Sequence, residues 1–277
     1  MLPTLTRPRV SNPTPRLECL RASPAKNASR KEAPIVFVHG AFIGAWCWQR
    51  HFLDYFAAAG YACFAPSLRG HGGSEGGERL DHWGIREYVA DLAATVAEYT
   101  EAPPILVGHS MGALVVQRYL EQHPATAAVL MAPVPSQGLL PSSLRMAFAD
   151  PMLFWQYGLM QTMGATAVNE DIARRAVFSD SLSDAEVAAA TQEVQRESQR
   201  ALWDMTVMPA GRPWLAGNPP PMLVMAGSDD ALFAPSECRS VAELWGADWS
   251  LLEGMAHAMM MDADWRRAAD QMLQWLE

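Results

Sequence analysis

Short unbroken apolar runs alternate along the chain with stretches in which apolar residues recur every three to four positions. APIVFVHGA (33–41) is continuously apolar and rich in β-branched residues, the pattern of a strand buried on both faces, as in a parallel sheet. YACFAPSL (61–68), PPILVG (103–108), AAVLMAP (127–133) and MLVMAGSDD (222–230) read as further strands, and DWSLLEG (248–254) as a last one. Between them, WCWQRHFLDYFAAAG (46–60), IREYVADLAATVAEYT (85–100), MGALVVQRYLEQH (111–123) and SECRSVAELWG (236–246) carry helical spacing, and DADWRRAADQMLQWLE (262–277) closes the chain. Strand and helix in alternation predict an α/β fold with a mostly parallel sheet and helices on both faces. Active sites in such sheets lie beyond the C-terminal strand ends. The least ordinary stretches, His39-Gly40, the Gly-rich Arg69 to Gly77, and Gly108 to Gly112, fall at such ends.

The rhythm breaks after Pro133. Residues 134–220 hold helical pieces, no clear buried strand, and many Met and aromatic residues: Met146, Phe148, Met152, Phe154, Trp155, Tyr157, Met160 and Met163. Within them, SDAEVAAATQEVQRESQRALWDM (183–205) predicts one long helix, with Ser183 as N-cap and Glu186 closing a capping box. The expected organisation is a basic tail with a first strand around RLECLRA (1–32), a first core segment (33–133), a helical lid inserted at 134–220, and a second core segment (221–277).

Composition narrows the function classes. Half of the 277 residues are hydrophobic and 18% are charged, so a real core is expected. The net charge of −9 argues against nucleic acid as a partner. Cys19, Cys47, Cys63 and Cys238 are widely spread, which suits buried thiols in a reducing compartment and offers no metal-ligand spacing. No cofactor, metal or membrane span is expected, and a cytoplasmic location is. The first 31 residues hold seven basic residues against the single acid Glu18, without an apolar secretory core. Organelle targeting by this tail stays open.

The chemistry centres on ILVGHSMGALVVQRYL (105–120). A strand turning into a helix at G-x-S-x-G lifts Ser110 onto a sharp elbow, where Gly108 and Gly112 avoid collisions with neighbouring strand and helix. A Ser nucleophile needs a base, and the elbow architecture takes its partners in the order Ser, acid, His. After Ser110 only His123 and His257 remain. His123 sits on the tail of the elbow's own helix, some 20 Å along it. That leaves His257, in the loop GMAHAMMMD. The acid is expected after MLVMAG. The Gly-x-x-Asp spacing from Gly227 favours Asp230, with Asp229 the alternative. Two N–H groups must hold the oxyanion: Met111, after the nucleophile, and Ala41, after His39-Gly40. His39 is read as shaping that loop by hydrogen bonding, with an acid-base role the alternative. A Ser at the elbow, and not an Asp, speaks against carboxylate-nucleophile enzymes such as epoxide hydrolases.

VHGAFIGAWCW, SLRGHGGSEG, GHSMG, GSDD and GMAHAMMMD, in that order, together resemble the α/β-hydrolase superfamily. Within it they look like lysophospholipase and monoacylglycerol-lipase-like serine hydrolases, over most of residues 33–277. The HGA…GAWCW block is also similar to plant methylesterases and hydroxynitrile lyases. The resemblance implies ester hydrolysis through an acyl-enzyme. The Met-rich and aromatic insertion, together with Met255, Met259, Met260 and Met261, suggests a small-molecule ester with an apolar acyl group. Thioester, C–C or perhydrolytic chemistry on the same residues, or a non-catalytic ligand receptor, are the alternatives.

Overall fold

The computed structural model describes residues 15–163, 169–207 and 211–277; the first fourteen residues of the basic tail and the side chain of Met163 lie outside them. Among the described residues, seven strands form one sheet in the order β1-β3-β2-β4-β5-β6-β7. They are β1 (Cys19–Ala22), β2 (Ile35–Val38), β3 (Cys63–Pro66), β4 (Ile105–His109), β5 (Ala127–Met131), β6 (Met222–Gly227) and β7 (Asp248–Leu252). β1 runs antiparallel to β3, and every other pairing is parallel. The expected α/β architecture is therefore present.

The five central strands, β2 to β6, look uniformly apolar because both faces of the sheet are covered there. Successive side chains point to opposite faces. Ile35, Phe37, Val107, Val129 and Met225 join one core, with Trp48, Phe52, Phe56 and the C-terminal Ala268, Ala269 and Met272. Val36, Val38, Leu106, Leu130 and Val224 join the other, with Tyr88, Leu92, Leu114, Val241 and Trp245. Each such Val, Leu, Ile or Phe contributes about 1.5–3 kcal/mol on burial, so neither face tolerates a polar alternation.

Helices α1 (Trp46–Gln49), α2 (Phe52–Ala58) and α11 (Trp265–Leu276) cover the first face; α3 (Ile85–Tyr99), α4 (Met111–Leu120) and α10 (Pro235–Trp245) cover the second. Residues 46–60 differ from the single expected helix. The chain leaves helical geometry at His51 (φ −145°, ψ −50°), whose ring stacks on Trp265 at 4.4 Å. Helical spacing does not encode that tertiary contact.

Between β5 and β6 lie α5 (Leu139–Ala149), α6 (Pro151–Met163), α7 (Glu170–Val177), α8 (Asp184–Gln192) and α9 (Gln199–Val207). The Ser183–Glu186 capping box forms as expected. The single long helix over 183–205 does not. It is broken between Gln192 and Gln199, because Glu197 turns inward to a buried set of donors instead of continuing the helix. No helix among the described residues is long and apolar enough to cross a membrane.

Candidate active site

β4 ends at His109, and α4 begins at Met111, leaving Ser110 at φ 52° and ψ −115°. A non-glycine residue adopts such a backbone only where its surroundings impose it. Here the Ser110 N–H donates to the carbonyl of Met131 on β5 at 2.9 Å. The flanking glycines are needed sterically. A Cβ on Gly108 would lie 2.5 Å from the Gly112 carbonyl oxygen, and one on Gly112 would lie 2.2 Å from that of Val38. These obstacles are backbone and cannot rotate away. Gly112→Ala is therefore expected to cost about 3 kcal/mol or more by forcing β2 and α4 apart. A urea midpoint equal to that of the unaltered protein would refute this.

The loop after β6 separates the two candidate acids. Asp229 is exposed and accepts a hydrogen bond from its neighbour Ser228. Asp230 is buried, and its Oδ1 accepts the N–H groups of Leu232 (2.8 Å) and Phe233 (2.9 Å). Its Oδ2 lies 2.7 Å from Nδ1 of His257. The carboxylate is thus fixed at one oxygen by backbone and presents the other to the imidazole. The geometry brings Asp230, not Asp229, to His257. It also sets the tautomer: Nδ1–H donates to Asp230, leaving Nε2 as the basic nitrogen. His123 stays at the far end of α4, stacked on Tyr119.

The His257 loop is held from two sides. Its Ala258 N–H donates to the Val177 carbonyl at the end of α7. Its own carbonyl accepts from Nε2 of His109 at 3.0 Å. His109 is a site residue that sequence reasoning missed. It lines the cavity, meets the His257 ring edge-on at 4.8 Å, and is held well below the ordinary imidazole pKa, chiefly by burial and then by His257. It therefore stays neutral and acts as an anchor. The available signal was its place: a polar residue closing an apolar strand, next to Ser110.

His39 behaves as the loop-shaping residue. Its Nε2 accepts the Leu68 N–H at 2.9 Å, and its Nδ1 donates to the Gly40 carbonyl at 2.8 Å. Burial, then the nearby His71, holds its pKa down to about 3, so the acid-base alternative has neither a free nitrogen nor a usable charge. The chain after it passes close to the elbow: a Cβ on Gly40 would lie 3.3 Å from the Ser110 Cβ. Ala41 follows and borders the same cavity as Ser110. Met111 opens α4, so its N–H belongs to the first helical turn, which lacks preceding carbonyl partners and favours an anion.

Ser110 and His257 line one cavity of about 100 Å³. Its walls are almost wholly apolar, with no Asp, Glu, Lys or Arg among the described lining residues. The insertion contributes Tyr157, Met160, Ile172, Ala176, Val177 and Val194. The Met and aromatic residues singled out in the sequence divide between this cavity, the core and the surface. Tyr157, Met160 and Met261 line the cavity, whereas Met255, Met259 and Met260 are packed in the core. Met146 is likewise buried away from it, and Phe148, Met152, Phe154 and Trp155 face outward. α6 is apolar on nearly every side, so periodicity could not say which side turns inward.

A second missed residue is Glu197, buried where the expected long helix breaks. It pairs with Nε2 of His71 at 2.9 Å and accepts from the hydroxyl of Tyr88 at 2.9 Å. Nothing in the helical spacing around it marks it out.

The non-heme haloperoxidase of Rhodococcus erythropolis is 37% identical over 108 residues, 37% of each chain. Epoxide hydrolase A of Mycobacterium tuberculosis is 29% identical over 153 residues, 53% of this chain and 47% of that one. The chain thus spans less than half the length of these curated relatives. Among solved structures, a thermophilic esterase from Thermogutta terrifontis superposes with a TM-score of 0.72 at 17% identity, covering 95% of this chain and 93% of the other, which is likeness of fold. The profile of the alpha/beta hydrolase family matches residues 35–271, taking in all but the first strand of the sheet, the elbow and the Asp230–His257 loops, and the chain belongs to that family.

Proposed function

We propose that this protein is a serine hydrolase that cleaves small esters with an apolar acyl group. The observation that carries the reading is the buried 2.7 Å contact between Asp230 and His257, which lines the same cavity as Ser110. In this reading, Nε2 of His257 takes the Ser110 proton as Oγ attacks the ester carbonyl. The Ala41 and Met111 N–H groups, aided by the start of α4, stabilise the oxyanion. His257 then protonates the leaving alcohol, activates water against the acyl-enzyme, and returns the proton to Ser110. Asp230 orients the imidazole and stabilises its cation. The insertion (134–220) serves as a lid whose inner side, through Tyr157, Met160 and Ile172, receives the acyl chain.

The absence of charged side chains among the described residues of the cavity wall supports a neutral acyl group. A carboxylate or ammonium there would lose its hydration without a partner. A fluorophosphonate probe is expected to label Ser110 stoichiometrically, located by peptide mass spectrometry. p-Nitrophenyl butyrate should be turned over at least about tenfold faster than the p-nitrophenyl hemiester of succinate, which carries a buried-end carboxylate. Folded protein without a Ser110 adduct, or acyl-CoA hydrolysed far faster than the esters, would overturn the reading. The match to a relative named a haloperoxidase favours one further arm, in which hydrogen peroxide replaces water at the acyl-enzyme. Peracid formed from acetate and peroxide would identify it.

A further inference from the structure

We infer that the segment between α8 and α9 is a clamp on the oxyanion loop, with Glu197 and Gln195 as positioning residues for the Ala41 donor. The inference rests on the reading of Ala41 as such a donor. Phe42, the next residue, sits at φ 67°, a left-handed conformation that a bulky side chain adopts only when held there. Both of its backbone groups are held by this one segment. The Phe42 N–H donates to Oε2 of Glu197 at 3.2 Å, and the Phe42 carbonyl accepts the Gln195 N–H at 2.9 Å. The Ala41–Phe42 peptide therefore cannot swing without breaking contacts to the insertion.

The anchor behind this grip is fully engaged. Oε1 of Glu197 accepts from the Tyr88 hydroxyl (2.9 Å) and the Ser198 N–H (2.7 Å), and Oε2 accepts from His71 (2.9 Å) as well as Phe42. Nδ1 of His71 lies 3.2 Å from the Arg69 carbonyl, so both ring nitrogens face oxygens, the arrangement that a doubly protonated ring satisfies. Burial opposes both charges, but their mutual attraction prevails, raising the His71 pKa and lowering that of Glu197. The Gln195 amide spans the loop after β3, accepting from Gly72 N–H and donating to the Gly70 carbonyl. A buried ion pair is a poor stabiliser compared with apolar packing, yet parting it leaves an uncompensated buried charge, so the pair resists rearrangement. Here the fixed geometry is the peptide next to the donor.

The test uses the full chain with Glu197→Ala and Glu197→Gln. Both are checked for folding by circular dichroism, then compared in kcat, KM and affinity for a trifluoromethyl ketone, whose hemiketal oxyanion mimics the intermediate. Glu197→Ala is expected to lower kcat about 30-fold, less than loss of a whole oxyanion donor. KM should stay nearly constant, and the ketone should weaken by a similar factor. Glu197→Gln keeps the length and one acceptor and should recover part of both losses. If Ser110 of the unaltered protein is labelled, yet the folded variants keep its kcat and ketone affinity, the clamp fails while the proposed function stands. Loss of folding in both variants would make Glu197 a stability residue and overturn the clamp equally. If the unaltered protein shows no Ser110 adduct, the functional reading itself fails and takes the clamp with it.

Discussion

Ser110→Ala is expected to lower kcat on the best p-nitrophenyl ester by about 10⁵–10⁶-fold, the scale seen when a serine nucleophile is removed from an otherwise intact site. The fold should survive, because what holds position 110 is backbone: the hydrogen bond to Met131 and the close passage of Gly108 and Gly112. The melting temperature should change little, and fluorophosphonate labelling should vanish. Some acceleration over water should remain, since the Ala41 and Met111 N–H groups are untouched by the substitution. A variant retaining a tenth of the original kcat would show that Ser110 is not the nucleophile. The chemistry would then have to be sought elsewhere in the cavity.

The second large effect is expected at Asp230. In Asp230→Asn the side-chain oxygen would stay where two N–H donors, Leu232 and Phe233, demand an acceptor. The amide nitrogen would then face Nδ1 of His257. An amide N–H cannot accept from Nδ1–H, so the ring would move its proton to Nε2 and lose the base proposed for Ser110. A fall in kcat of about 10⁴-fold is expected, the scale of such a tautomer error. Asp229→Asn supplies the contrast. Its exposed carboxylate accepts from Ser228, away from His257, so kcat should remain within about twofold, as for a surface substitution away from the site. Equal losses at both positions would refute the assignment of the acid to Asp230.

Much of this was legible in the chain because it is local. Gly108 and Gly112 flank the elbow at a spacing that reflects backbone collisions within a few residues and with one neighbouring strand. Ser183 and Glu186 cap their helix through bonds three residues apart. Strand runs are visible because both faces of the sheet are covered, which removes polar residues from them. The departures are of the opposite kind. The helix over 183–205 breaks for partners on other elements: Phe42 after β2, His71 after β3 and Tyr88 on α3. His51 leaves its helix for Trp265, more than two hundred residues away. The inward face of α6 depends on what it packs against, since apolar residues surround it.

The amino-acid sequence by itself determined the alternation of strand and helix, the elbow at Ser110, and the order of the residues proposed to act with it. The first two follow from short-range sterics and from burial on a sheet covered on both sides, and the third from the partner order that the elbow architecture uses. Between Asp229 and Asp230 the Gly-x-x-Asp spacing favoured the second, but adjacent loop residues point in different directions, and it was the tertiary structure that brought Asp230 to His257 and left Asp229 exposed. It alone selected the apolar side chains that border the cavity. It alone brought Glu197 from the insertion to the loop of Ala41 and Phe42, because a buried carboxylate goes wherever the fold gathers enough donors to hold its charge.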